Sequence, residues 1–403
     1  MNQAAYILLL LSAFTTPFSL PAARALLAAS AVVCAARAIG NRRRPLVPRV
    51  VWLGALFLAV AVSATVFGVN PHLGVPKLHK LMWWIGIPVA TALVTSPRRL
   101  GGVLFAVASG TGVLALETLI RNPAQAARAL RAGGVPDFKT ALIHAGSMTD
   151  AQRLMIGVLL ALGFLFAARR SGRGSAGWIG MLALTGLALL LNFKRGAWLG
   201  ALGGVAVLVA ANTRWRYLLV LAAVVMCLLP IPPVRTRIAE MKDEWLGTKG
   251  GRRVMWCKVA PALIREHPLG VGVRSLTNRM MRRIAPEVEP NRDHLHSNIA
   301  QVLVETGWIG LGLCLIWLTL AVSDAAAYLR RMRGRGPDER LSAQLLLLTL
   351  VALLGNGLVE YNLGDAEIVL IYGLLMGSAA ALRRWAEAAL PSETSSVPPA
   401  FPA

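Results

Sequence analysis

The stretch VVWLGALFLAVAVSATVFGV, residues 50–69, carries no charged side chain. As a helix it would extend about 30 Å, the thickness of a bilayer's hydrocarbon layer. Comparable apolar runs recur at 4–16, 20–38, 81–95, 100–119, 151–168, 176–192, 197–211, 217–232, 298–328, 341–359 and 366–382. Of the 403 residues, 56% are hydrophobic and 15% charged, against about 25% charged in an ordinary soluble domain. A soluble fold of this length would lack the polar surface to cover itself. A soluble globular enzyme, a disordered chain and a disulfide scaffold are thereby excluded. The pattern predicts an all-α polytopic membrane protein of about twelve spans, because only helices or closed barrels satisfy the backbone in lipid.

The formal net charge is +23. In a soluble chain this would suggest nucleic acid, but here topology accounts for much of it, and no nucleic-acid partner is expected. One set of alternate loops, from Arg42–Arg44 and Arg49 through Arg98, Arg99, Arg169 and Arg170 to Arg383 and Arg384, holds 18 Lys and Arg. The opposite short loops hold 8. By the positive-inside rule both termini are cytoplasmic. Met1-Asn2-Gln3 lacks a basic leader region, so the N-terminal run reads as part of the mature protein.

Four segments follow: an N-terminal bundle of about nine spans over 1–232, a large periplasmic loop over 233–297, three spans over 298–390, and a Pro/Ser-rich tail, 391–403, expected to be disordered. The loop carries 13 Lys/Arg and 7 Asp/Glu. Long loops escape the charge rule, so this basic excess suits either an anionic ligand or lipid headgroups.

The densest polar cluster is Asp293-His294-Leu295-His296-Ser297-Asn298, just before the tenth span. Two histidines at i and i+2 share no helix face, fit no zinc spacing and have no cysteine beside them, so no metal site is expected. A histidine at a helix start is disfavoured as imidazolium, which suits a proton acceptor. An interfacial histidine that only caps the helix fits the local sequence equally. Asn298 with Gln301 has the form of a cap pair. Glu305, nine residues beyond His296, falls inside the expected span.

Residues 296–310 read HSNIAQVLVETGWIG: His296, Ser297, nine residues, Gly307, two residues, Gly310. The glycines suit close helix approach. This resembles the signature of the bacterial O-antigen ligases, the WaaL family, within a superfamily that also contains O-antigen polymerases. Asn192-Phe193-Lys194-Arg195-Gly196-Ala197-Trp198 resembles a second block of that superfamily. A third is resembled by Gly251-Arg252-Arg253-Val254-Met255-Trp256 followed by Glu266-His267-Pro268-Leu269-Gly270-Val271-Gly272. Lys194 departs from the Ser or Thr common at its position, and the Arg252/Arg253 doublet leaves the arginine register open.

The resemblance implies glycan transfer on the periplasmic face of the bacterial inner membrane, without metal, cofactor or ATP. The donor would be O-antigen on undecaprenyl pyrophosphate, the acceptor lipid A–core oligosaccharide, and the product lipopolysaccharide. It also selects His296 as the base. The residue chemistry agrees: neutral histidine accepts the hydroxyl proton, and guanidiniums grip a leaving pyrophosphate through paired hydrogen bonds. Arg195, Arg252 and Arg253 are the candidates for that grip, with Lys194, His294, Glu360 and Asp365 as possible supports. The first external loop, Asn70 to Lys80, contains no acidic residue, which is consistent with metal-free transfer. An O-antigen polymerase shares the donor and is the alternative. A flippase or transporter fits less well, since it would place polar groups near mid-bilayer, often in two repeated halves.

Overall fold

The computed structural model describes residues 3–40, 47–133, 137–172, 174–213, 251–290 and 292–389, with scattered positions between 218 and 239. Six of the sixteen residues of the expected span at 217–232 lie outside them, and the tail 391–403 wholly so. In chain order the principal helices are α1 (Gln3–Thr15), α2 (Leu20–Gly40), α3 (Arg49–Val66), α4 (Gly86–Leu93), α5 (Pro97–Arg131), α6 (Met148–Arg170), α7 (Ala176–Leu191), α8 (Arg195–Asn212), α9 (Asn298–Arg331), α10 (Pro337–Gly357) and α11 (Ala366–Ala389). No strand occurs among the described residues. Eight of these helices, α2, α3, α5, α6 and α8–α11, are long and apolar enough to cross a membrane. The protein is therefore an all-α, multi-pass membrane protein.

Three further elements are shorter. α1 and α7 are apolar but have fewer than 18 residues. α4 continues a 3₁₀ helix, Val75–Ile85, and the two together reach about 34 Å, enough to span.

Local sequence explains the helix starts. Ser96 accepts from the Arg99 amide ahead of Pro97, and Ser147 accepts from the Asp150 amide, each satisfying a free N–H of a first turn. Small residues then let the helices close. Gly86 and Gly373 bring α4 and α11 together, where added methyl groups would lie 3.5 and 3.2 Å from the opposite glycine's Cα. At Gly54, α3 makes room for Trp317, whose Nε1 donates to the Val50 carbonyl at 2.7 Å. Such packing replaces the hydrophobic drive that lipid does not supply.

The arginine-rich helix ends gather at one end of the bundle. Arg170 bonds Asn212, which bonds Gln344, while Arg383 pairs with Asp324 and Glu387. His296 lies at the opposite end.

Helix lengths show how that opposite end is built. The 34 residues of α9 have a contour of about 51 Å, and the 21 of α10 about 31 Å. Yet their far ends are tied together, since Asn298 Nδ2 donates to Asn362 Oδ1 at 2.7 Å and its Oδ1 accepts from the Asn362 and Leu363 amides. Their near ends are joined by the short turn 332–336. The surplus is taken up at Gly307, where φ is +69° and the helix breaks. Residues 298–306 consequently turn across the bundle end.

That turn changes two readings. Glu305 is not buried at mid-bilayer. It bonds Gln301, the Arg274 amide and Tyr361, all in the layer of loops and helix ends. The glycine pair does not mediate close approach of two spans either. A methyl on Gly307 would collide with the Pro268 carbonyl oxygen, and one on Gly310 would strike the side chain of Thr306 in its own helix.

Candidate active site

The loop Pro268–Gly272 packs onto the break in α9. Val271 and Gly272 donate their amides to the carbonyls of Val304 and Glu305 at 2.8 and 3.0 Å. Those carbonyls would otherwise bond amides one turn on, beyond Gly307, so the loop replaces hydrogen bonds that the break removes. The Pro-Leu-Gly-Val-Gly stretch and Gly307 are thus two halves of one joint.

At the start of α9, Ser297 is the cap. Its side chain accepts from the Ala300 amide, whereas Asn298 points away to Asn362. Gln301 reaches back to accept from the Leu295 amide at 2.8 Å, and Trp256 Nε1 donates to the Leu295 carbonyl at 2.7 Å. With both its backbone groups bonded, Leu295 holds the next residue in an unfavourable conformation: His296 has φ of +49°. A non-glycine residue pays about 1–2 kcal/mol for such a backbone. The cost is offset by the surrounding bonds and aims the imidazole inward, leaving it 6% exposed.

Both ring nitrogens of His296 are engaged. Arg292 Nη1 lies 2.7 Å from Nε2, and Glu360 Oε2 lies 3.3 Å from Nδ1. A guanidinium can only donate, so Nε2 carries the lone pair and the proton resides on Nδ1, directed at Glu360. Burial holds the His296 pKa below the usual histidine value, opposed by the bond to Glu360 and reinforced by the charges of His294 and Arg292. In this setting a neutral imidazole presents Nε2 as its accepting atom.

Glu360 bridges two groups, since its other oxygen accepts from Arg252 Nη2 at 2.6 Å. Arg252 and Trp256 stand four residues apart in one helical stretch, and one reaches Glu360 while the other reaches Leu295. Arg253 is exposed. The doublet's ambiguity is thus a matter of geometry: Arg252 belongs to the cluster and Arg253 faces outward.

Arg195 is the first residue of α8, after a tight turn in which Phe193 takes φ of +57° and Lys194 sits at the N-cap. The neighbouring Gly196 packs against the Glu360 end of α10. A methyl there would lie 3.1 Å from Asn356 Nδ2 and 3.8 Å from Glu360 Cγ. Arg195 also borders an apolar cavity of about 1020 Å³ between α6, α7 and α8, lined by Val158, Leu162, Leu182, Trp198 and Leu202 and bounded at its far end by Arg169 and Arg170.

The other candidates lie on a second flank. The His294 ring is centred 4.2 Å from that of His296, and its Nδ1 is engaged by Asp293 at 2.7 Å. Asp365 does not touch His296 and accepts instead from Thr149 Oγ1 at 2.7 Å. Arg292 and the clamp made by Trp256 were not visible from sequence, and Gln301, read there as a cap partner of Asn298, instead accepts from the Leu295 amide while Ser297 is the cap.

Comparison with curated proteins gives no match. A family model described as O-antigen ligase matches residues 179–315. That stretch begins in α7 and ends in α9 beyond its break, and it contains Arg195, Arg252, Trp256, the Pro268–Gly272 joint and His296. Residues 179–315, about a third of the chain, are thus similar to an O-antigen ligase family domain, and this similarity supports a function of the ligase or polymerase type.

Proposed function

We propose that the protein is an O-antigen ligase of the bacterial inner membrane. It moves O-antigen from undecaprenyl pyrophosphate to lipid A–core oligosaccharide on the periplasmic face. The observation that carries this reading is the Arg252–Glu360–His296 chain, which ends in a neutral Nε2 and adjoins Arg195 at the edge of an apolar cavity.

The donor's polyprenyl tail fits that cavity, and its pyrophosphate comes to rest beside Arg195 and Arg252. An acceptor hydroxyl takes the place of Arg292 at Nε2. As its oxygen bonds to the anomeric carbon, its proton passes to His296 and the bond from that carbon to the pyrophosphate oxygen breaks. Undecaprenyl pyrophosphate departs with the electron pair, its new charge met by guanidiniums that donate two hydrogen bonds at once. Glu360 stabilises the imidazolium that forms, the part played by the carboxylate in a base–orienter pair. Attack opposite the leaving group inverts the anomeric centre.

The test is transfer by the purified protein from a glycan-bearing undecaprenyl pyrophosphate donor to lipid A–core. Glycan on lipid A–core is the expected product. Glycan lengthened on the polyprenyl carrier, with none on lipid A–core, would make the protein a polymerase.

A further inference from the structure

The 3₁₀ helix Val75–Ile85 has an unusual consequence for its side chains. With three residues per turn, positions i, i+3 and i+6 stand in one column about 6 Å apart, whereas in an α-helix they would fan out. Lys77, Lys80 and Trp83 occupy that column. From α2, the guanidinium of Arg24 lies over the Trp83 ring at 4.5 Å. From the loop after the Pro268–Gly272 joint comes Arg274, whose carbonyl accepts from Lys77 Nζ at 3.4 Å. Lys80 is within electrostatic reach of all three other cations.

Arg274 faces the carboxylates of Glu305, Asp365 and Asp293, but the Arg24 and Lys80 side of the cluster is poorly neutralised. Neither Arg24 nor Lys80 forms an ion pair among the described residues, and Arg24 Nε is buried without a hydrogen-bond partner. Asp365 is the carboxylate within reach of Lys80, and it is already engaged by Thr149. Four gathered cations, two of them unpaired, repel one another unless an anion joins them. Trp83, at the foot of the column, suits the boundary between headgroups and acyl chains.

The cluster adjoins the catalytic end through a different flank from the cavity. Arg274 binds Glu305 through its amide and the Gly364 carbonyl through its side chain. Asp365 and Asp293 lie within its field, and the His294 ring lies tilted against that of His296. A lipid held here would approach His296 from the His294 side, leaving the Arg195–Arg252 side to the donor.

We infer that Arg24, Lys77, Lys80 and Arg274 form a second anion site, which holds the phosphorylated headgroup of the acceptor lipid. This inference rests on the glycosyl-transfer reading for the word acceptor, though the lipid-phosphate chemistry stands apart from it. Either acceptor class, lipid A–core or a second lipid-linked glycan, carries phosphate at the height of these cations.

The experiment uses the full-length protein in phosphatidylcholine nanodiscs, with bound lipid counted by native mass spectrometry. Wild type should retain phosphorylated lipid A–core in preference to its dephosphorylated form and to phosphatidylglycerol. The double variant Arg24→Gln/Lys80→Gln should bind it about tenfold more weakly, Arg24→Lys/Lys80→Arg should keep most binding, and Arg195→Lys should leave it unchanged. In the transfer assay the double variant should raise KM for the acceptor and leave KM for the donor alone. Equal retention by the double variant would overturn the inference. Equal competition by phosphatidylglycerol would also overturn it, by making the cluster a general contact for anionic lipid. Phosphate-selective binding in a protein that transfers nothing to lipid A–core would sustain the site and defeat only the ligase reading.

Discussion

Glu360 holds His296 by Nδ1 at 3.3 Å across 64 residues of chain, while Arg252 holds Glu360 by its other oxygen at 2.6 Å. This arrangement fixes which ring nitrogen accepts a proton.

His296→Ala should therefore lower transfer about 10²–10⁴-fold with insertion intact, and Glu360→Gln should fall in the same range by losing the tautomer. In the proposed mechanism His296 acts in its neutral form, and burial lowers its pKa. Activity should accordingly stay above half-maximal at the ordinary histidine pKa, with the midpoint of its acid limb below that value. Removing the Glu360 charge removes an interaction that raises the pKa, so the acid limb of Glu360→Gln should move to still lower pH. Rate–pH profiles of wild type and variant, measured side by side, check both signs. An acid limb above the ordinary histidine value would refute the assignment of the neutral base.

Arg252→Gln should cost far more activity than Arg253→Gln, because only Arg252 contacts Glu360 while Arg253 is exposed. Loss of a buried charge partner leaves Glu360 uncompensated beside the base. Equal losses in the two variants, at matched membrane abundance, would contradict this assignment.

Arg195→Lys keeps the charge at the head of α8 but cannot grip two phosphate oxygens together. Transfer should drop severalfold or more, and Arg195→Ala should drop further. A cation that merely reaches toward the headgroups would tolerate lysine, so wild-type rates in Arg195→Lys would shift the pyrophosphate contact to Arg252 alone.

Gly307→Ala should destabilise the fold. The backbone at φ of +69° disfavours any side chain by about 1–2 kcal/mol, and the added methyl collides with the Pro268 carbonyl oxygen. A lower unfolding temperature in detergent is the expected outcome, whereas Gly312→Ala, with open space around it, should be silent. Equal stability of the two variants would mean that the joint does not hold the loop.

The eight long apolar helices were legible in the sequence because some twenty apolar residues in a row have few other uses. The histidine was legible through its spacing to Gly307. Its partner was not: Glu360 and Asp365 are both acidic residues near the last turn, and which one faces His296 depends on how α9 and α10 meet at Asn298 and Asn362. The same holds for Arg252 and Arg253, which differ only in the face they occupy. Gly307 was read as a packing glycine because sequence does not reveal a positive φ, and Glu305 was placed in the bilayer because an unbroken helix was assumed. Each of these errors is one of tertiary register.

The break at Gly307 also bears on how such a reaction should be counted. By turning residues 298–306 across the bundle, it keeps His296 level with the end of α10 instead of lifting it into bulk solvent. For two reactants anchored by hydrocarbon, as proposed here, the encounter is then two-dimensional: each is a solute of one leaflet, and its effective concentration is a mole fraction of lipid. Diluting proteoliposomes in buffer should leave the rate per protein unchanged, whereas spreading the same substrates among more phospholipid within each vesicle should slow it.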